Sequence, residues 1–151
     1  LGTIITHPGH FTVLVGEHLG HGRWVEVTED LIDGFVAHSG GRSPATGART
    51  VAGDAPFASA IAQGTLTLSI VIPLLDEIVV VENAMAVIHD GFDEVRFPAV
   101  VPVTSRVRLG ATLGSVDAIA HGVRTTFDCV VEVDAGDRPA AVARVVRRYV
   151  F

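Results

Sequence analysis

The chain holds seven histidines, one cysteine and seventeen acidic residues among its 151 positions. Few of them stand at spacings that chemistry uses. His7 and His10 lie three apart, as do His18 and His21. A metal site needs three or four converging ligands, and neither pair has a partner motif. Both fall in a segment that reads as irregular, so the expectation is solvated loop histidines and no metal. Cys129 is the only cysteine. That excludes an internal disulfide and a thiolate cluster, and its place in the apolar run FDCVVEV predicts a buried structural thiol. Asp90, Asp93 and Glu94 cluster beside an expected turn and read as a solvated hairpin.

The stretch SGGRSPATG, residues 39–47, has the small-residue make-up of an active-site loop but contains no acid, histidine or cysteine. The nearest imidazole is His38, just before it. The nearest carboxylate is Asp54, in AGDAPF. Both are weak candidates for acid–base work. The plainer readings are a helix-end residue for His38 and a turn or cap residue for Asp54. Gly40-Gly41 is not a phosphate loop, because no lysine follows at the required spacing and no strand leads into it.

These residues need elements to position them. The length fits one domain over residues 1–151. A hydrophobic content of 48% is ample for a packed core. Net charge is −6, all eleven basic residues are arginines, and the only adjacent pair is Arg147-Arg148, so nothing points to nucleic acid. The start, LGTIITHPGHF, lacks the pattern of a signal peptide. The longest apolar region, about 66–81, is interrupted by Pro73, Asp76 and Glu77, which speaks against a membrane span. A cytoplasmic protein is expected.

Along the chain, residues up to about 22 read as irregular and WVEVT (24–28) as a short strand. Thr28 is placed to cap a helix over EDLIDGFVAHS, with Leu31, Ile32 and Phe35 as its apolar stripe. Residues 39–56 read as loop. ASAIAQGTLTLSIVIPLLDEI predicts one buried helix near 60–76, apolar nearly all round, which Pro73 would end or kink. AMAVIHDGFDEVRF reads as a strand, a turn at Asp90-Gly91 and a second strand. SRVRLGATLGSVDAI, VRTTFDCVVEVDA and AAVARVVRRYVF read as three long alternating strands joined at AHG and GDRP. An antiparallel sheet needs an apolar cover, and the helix near 60–76 is the one long enough. The predicted fold is therefore α+β: a long antiparallel sheet wrapped around a central helix, the hot-dog arrangement. Its exposed edges predict a homodimer.

At this point the residues resemble the MaoC-like, (R)-specific enoyl-thioester hydratase family, from about Val15 to Phe151. The fullest local likeness is VRFPAVVPVTSRVRL (95–109), which is similar to the family's Arg-Phe-x-x-Pro-Val segment. GEHLG (16–20), TEDLIDGFVAHSG and PFASAIAQGTLTLS (56–69) resemble its N-terminal part, cap helix and entry to the central helix. The resemblance implies an Asp/His pair in a loop of the form Gly-Asp-x-x-x-x-His-x-Asp, acting as acid and base on water and the substrate α-proton. Here the Asp position holds Gly41, the His position Thr46 and the later Asp position Ala48. The family's Ile-Ala-His-Gly reads Ile61-Ala62-Gln63-Gly64. Gly64 matches the glycine whose backbone N–H serves as an oxyanion donor, and Ser69 matches a hydroxyl of the same pocket.

The resemblance thus implies a thioester-facing scaffold without its acid/base pair. The replacements, Gly41, Ala45, Thr46, Gly47 and Ala48, are small, which suggests room for a larger ligand. The leading expectation is a repurposed homologue binding a bulky acyl- or polyketide-like ligand at Gly41, Thr46, Gln63, Gly64 and Ser69. It would act by positioning, as a cyclase or isomerase. The alternatives are a non-catalytic acyl-thioester-binding or scaffold protein, and a hydratase or dehydratase with acid and base relocated to Asp54 or His38. No cofactor is expected. The ligand would be a small molecule or an acyl thioester carried by CoA or a carrier protein.

Overall fold

The computed structural model describes residues 2–40, 61–134 and 136–151. The N-terminal part is more ordered than its sequence suggests. A three-residue strand β1 (Thr3–Ile5) leads into the one-turn helix α1 (Pro8–Val13) and then β2 (His18–His21). Each is too short to show a periodicity, but each contributes one anchor to the core: Ile5, Phe11 and Leu19 are buried. The expectation of an irregular segment is corrected accordingly.

A two-residue strand β3 (Val25–Glu26) precedes helix α2 (Glu29–Ser39). The α2 boundaries follow from its capping chemistry. The Thr28 hydroxyl accepts the Leu31 N–H at 3.1 Å, and Glu29 and Asp30 occupy the first turn, where the helix dipole favours negative charge. At the other end Gly40 takes the left-handed conformation, φ 70°, that closes the helix at no steric cost. Ile32 is buried, with Leu31 and Phe35 packed against the core.

The expected single helix is two. Ile61–Ala62 form a short strand β4, followed by α3 (Gly64–Ser69) and α4 (Val71–Ile78), which meet at Ile70. Pro73 accounts for the position of the break. Its missing N–H and its ring are incompatible with a continuous helix reaching back to the Ser69 carbonyl. In the third position of a new helix, no intrahelical bond is lost. Nor is the segment apolar all round. Val71, Leu74, Leu75 and Ile78 are buried, whereas Pro73, Asp76 and Glu77 are exposed.

Strand β5 (Val79–Val81) pairs in parallel with β1. Next comes β6 (Ala86–Arg96), one continuous strand where two strands and a turn were expected. The Asp90-Gly91 pair makes a bulge: the β6 register on its neighbour jumps from Gly91 to His89. A bulge carries the same small, polar signature as a turn without reversing the chain. The expected solvated hairpin is therefore absent. Asp90 is bonded to Arg148 at 2.8 Å and Glu94 to Arg144 at 3.0 Å. After β7 (Val101–Pro102), which pairs with β4, come the three long strands β8 (Arg106–Ile119), β9 (Gly122–Val133) and β10 (Ala141–Val150).

The main sheet runs β2-β8-β9-β10-β6, with β3 also on β8, and every pairing is antiparallel. Its inner face is set by the alternation of its long strands. Leu109, Ala111 and Leu113 of β8, Phe127, Cys129 and Val131 of β9, and Val145 and Tyr149 of β10 are all buried in one cluster with the apolar side of α4. The outer face carries ion pairs such as Arg106–Asp134 and Arg108–Glu132. This is the hot-dog arrangement. Burial pushes the Cys129 thiol up to about 12, so it stays a neutral core group at any ordinary pH.

One charge breaks the inner pattern. Arg147 is 2% exposed and lies in the same inward row as Val145 and Tyr149. Its guanidinium donates to Asp76 at 2.7 Å and to the Ile72 carbonyl at 3.4 Å, so it joins β10 to α4. Asp76 is 60% exposed at its side chain, which lets solvent weaken the pair. Removing the acid still leaves a buried cation without its counter-charge, whereas an apolar side chain of similar length removes the problem. Asp76→Asn should therefore cost about 1–3 kcal/mol by urea unfolding, and Arg147→Met should cost less. The reverse order would show that the pair is not what holds this corner.

Candidate active site

Four of the seven residues singled out from the sequence lie within the described part of the chain: His38, Gln63, Gly64 and Ser69. Gly41, Thr46 and Asp54 fall outside the described residues. Helices α2 and α3 bring two of the four together. A cleft of about 360 Å³ runs between them, and both His38 and Ser69 line it. That is the lower end of the range for small-molecule pockets. Its floor is apolar: Leu31 and Phe35 come from α2, and Leu66 and Ile70 from α3 and the junction after it.

The local bonds settle what the polar rim can offer. His38 occupies the last turn of α2, and its Nδ1 lies 2.7 Å from the Gly34 carbonyl oxygen one turn back. A carbonyl only accepts, so Nδ1 carries the proton in that bond. In the neutral ring Nε2 is then a lone-pair acceptor. Ser69 Oγ donates to the Leu66 carbonyl at 2.7 Å. Its remaining capacity toward the cleft is also that of an acceptor. Polarising a ligand carbonyl through Ser69 would require this hydroxyl to turn away from Leu66.

Gln63 and Gly64 are held at the start of α3. Gln63 is the N-cap in extended conformation (φ −63°, ψ 144°), and its carbonyl accepts the Thr67 N–H at 3.2 Å. Its side-chain oxygen receives the Thr65 hydroxyl at 3.5 Å. Gly64 has a steric requirement. A Cβ there would come within 2.8–2.9 Å of the Phe97 ring. Phe97 follows directly on β6 and is 43% exposed. The RFPAVVP segment thus presses an aromatic face onto the backbone of α3, a contact that no periodicity argument could reveal. The signal was present only as the pairing of a glycine before a helix with an Arg-Phe before a proline.

The two histidine pairs singled out from the sequence do not line this cleft. His18 and His21 stack edge to face at 4.8 Å on the outer side of β2, and His21 Nε2 lies 3.3 Å from Glu132. The Arg108 bond holds Glu132 below the usual carboxylate range, with the His21 contact adding to the effect. His7, the N-cap of α1, and His10 within it stack at 5.8 Å. His10, His18 and His21 therefore stand on regular elements, and the expectation of loop histidines is corrected for these three. Among the described residues no group of three or more histidine, cysteine or acidic side chains could hold a metal.

The Gly64–Phe97 contact makes a testable unit. Gly64→Ala should lower stability by about 1–3 kcal/mol through overpacking. Combined with Phe97→Ala, the loss should be smaller than the sum of the two singles, because the second change removes the clash. Additive losses in thermal unfolding would mean that Phe97 moves aside freely and does not fix Gly64.

Comparison with known proteins follows the same geometry. A MaoC-like domain family matches residues 10–134. The 3-hydroxyacyl-thioester dehydratase Z of Mycobacterium tuberculosis is 36% identical over 138 residues, covering 89% of this chain and 90% of that protein. Nodulation protein N of Rhizobium leguminosarum bv. viciae is 30% identical over 132 residues, covering 85% and 82%. Among solved structures, an Archaeoglobus protein described as a monoamine oxidase regulatory protein superposes with a TM-score of 0.78 at 21% identity, covering 99% of this chain and 97% of its own. An (R)-hydratase from Pseudomonas aeruginosa gives 0.72 at 18%, covering 89% and 81%. With a sheet wrapped around α4, a glycine-started α3 under Phe97 and relatives of this kind, the chain belongs to the MaoC-like dehydratase family.

Proposed function

We propose that this protein binds an acyl thioester, with the acyl chain in the cleft between α2 and α3, and acts on it by positioning rather than through an Asp/His pair. The observation that carries the reading is the cleft itself. It combines an apolar floor with a rim that, among the described residues, carries Asp30, His38 and Ser69 as its polar side chains. The 3-hydroxyacyl-thioester dehydratase named among the relatives supports the thioester part. The sequence supports the rest: Gly41, Thr46 and Ala48 cannot exchange protons as a carboxylate and an imidazole do. Small residues there favour a bulky or folded acyl or polyketide-like ligand. Holding its reacting groups in an attack geometry is worth several kcal/mol by itself, enough for a cyclase or isomerase type of reaction.

A second reading, an enoyl-thioester hydratase or dehydratase with a relocated base, is favoured by the same 36% identity. The measurement that separates them is simple. Octanoyl-CoA should bind by calorimetry. Crotonyl-CoA hydration, followed by loss of absorbance, should run about 10²–10⁴-fold below an ordinary hydratase. Ordinary turnover that vanishes in His38→Gln or Asp54→Asn would establish the second reading. Binding with no conversion of any acyl thioester would leave a non-catalytic binding protein.

The same proposal includes a homodimer. β6 is the end strand of the sheet, eleven residues long. Val87 and Ile88 on it are 51% and 38% exposed, and Met85 just before it is 74% exposed. An unpaired edge that starts with exposed apolar residues is covered in stable proteins. Sedimentation at micromolar concentration should give a dimer, and Val87→Lys should shift it toward monomer. A monodisperse monomer of the unmodified chain would end this part of the proposal.

A further inference from the structure

Strand β6 ends the sheet, and its neighbour β10 shows which of its side chains face inward. Val87 lies opposite Tyr149, His89 opposite Arg147 and Phe92 opposite Val145. Residues directly opposite in an antiparallel pair point to the same face. On β10 the inward row is fully covered: Tyr149, Arg147 and Val145 are buried. On β6 it is not. Val87 and His89 are exposed and Phe92 is half-buried. The His89 ring meets the Phe92 ring edge to face at 4.8 Å. Among the described residues, three charges act on His89: the Arg147 guanidinium from β10, the Asp76 carboxylate from α4 and the Asp90 carboxylate next to it on β6. Burial first and Arg147 second hold the imidazole below the ordinary histidine range, while the two acids pull the other way. Asp76 already answers Arg147, and Asp90 answers Arg148.

An occupant that covers this row must also pair the N–H and C=O groups along the free edge. A second copy of the chain does both, because an edge strand pairs antiparallel with its own copy in an isologous contact. Covering Val87 then means covering His89, two positions on and on the same face. A neutral imidazole is covered at modest cost, whereas a protonated one would leave water beside the buried Arg147 charge. We propose, building on the homodimer above, that this dimer is acid-sensitive and that His89 is its sensor: the chains join through β6 with the ring neutral, and protonating the ring drives them apart. By linkage, the ring binds its proton more weakly in the dimer than in the separate chain. Dimer affinity is therefore full above the titration of the separate chain and falls as pH drops through it, just below the ordinary histidine range. The general charge of the chain works the other way. At a net charge of −6, acid relieves the repulsion between two copies and should tighten them, so loosening in acid points to a specific group.

Sedimentation of the full chain at about pH 8 and about pH 6 gives the dimer Kd at each. The Kd should rise about three- to tenfold at the lower pH, with two rings per dimer contributing. His89→Gln keeps a neutral polar side chain and should remove most of this rise. His89→Arg carries the charge throughout and should weaken the dimer already at the higher pH. Both changes fall at an exposed position, and circular dichroism of the variants checks that the fold is kept. NMR of isotope-labelled histidine, with His89 assigned by its loss in His89→Gln, should show the ring titrating at lower pH in concentrated protein than in dilute. An unchanged or tighter dimer at the lower pH, or an equal rise in His89→Gln, would overturn the inference and leave the homodimer standing. A chain that is monomeric at both pH values would end the homodimer and the acid sensor together.

Discussion

Everything in this fold depends on covering one face of a strongly one-sided sheet. β8, β9 and β10 point Leu109, Leu113, Phe127, Val131, Val145 and Tyr149 to the same side, all of them buried. Sheets of this length cannot leave such a face in water. At about 25 cal/mol per Å² the apolar area outweighs any local preference of the covering segment. The segment that covers it, α4, is accordingly bent to the task. Its start is set by Pro73, its buried side by Val71, Leu74, Leu75 and Ile78, and its exposed side by Asp76 and Glu77. The site is a by-product of this demand. Because α4 cannot run back past Ile70, α3 is a separate helix, and it lines a cleft with α2.

A second consequence concerns polarity inside the core. Arg147 occupies an inward position because strand alternation gives it no choice; Arg148 beside it points outward to Asp90. The buried guanidinium is held by Asp76 and the Ile72 carbonyl, and the Tyr149 hydroxyl lies close enough to it to feel its charge. Burial pushes the Tyr149 phenol up, against the pull of Arg147. A hydrophobic core would tolerate several helix orientations, but a charge that reaches one acid and one carbonyl tolerates few. The pair restricts how α4 can sit against β10.

The three long strands, the capped α2 and the buried Cys129 were legible in the sequence, because alternation and capping are local and both persist over many residues. What was not legible followed from context. The bulge at Asp90-Gly91 uses the residues of a turn, and only the partner strand β10 decides that the chain runs straight on. β1, α1 and β2 span three, six and four residues, too few repeats to establish a pattern. The break at Ile70 lies three residues before the proline that causes it. In the site, sequence supplied the names His38, Gln63, Gly64 and Ser69 but not their grouping. His38 and Ser69 share a cleft although they are thirty-one positions apart, and nothing in either neighbourhood announces the other. The replacements at Gly41 and Thr46 were visible only against a family pattern, since small polar residues carry no chemical signature of their own.

The chemistry left to such a site is constrained by what the chain keeps. Hydration of an enoyl thioester requires a proton to leave water and another to reach the α-carbon, and an acid–base pair shares that work. A reaction within one ligand needs no external water, and the proton lost at one atom can return to another. Its main barrier is bringing the two ends together, which an apolar cleft can lower by confinement alone. Under the proposed function, with Gly41 and Thr46 in place of the family's proton pair, the apolar cleft suits the intramolecular reaction better than the bimolecular one.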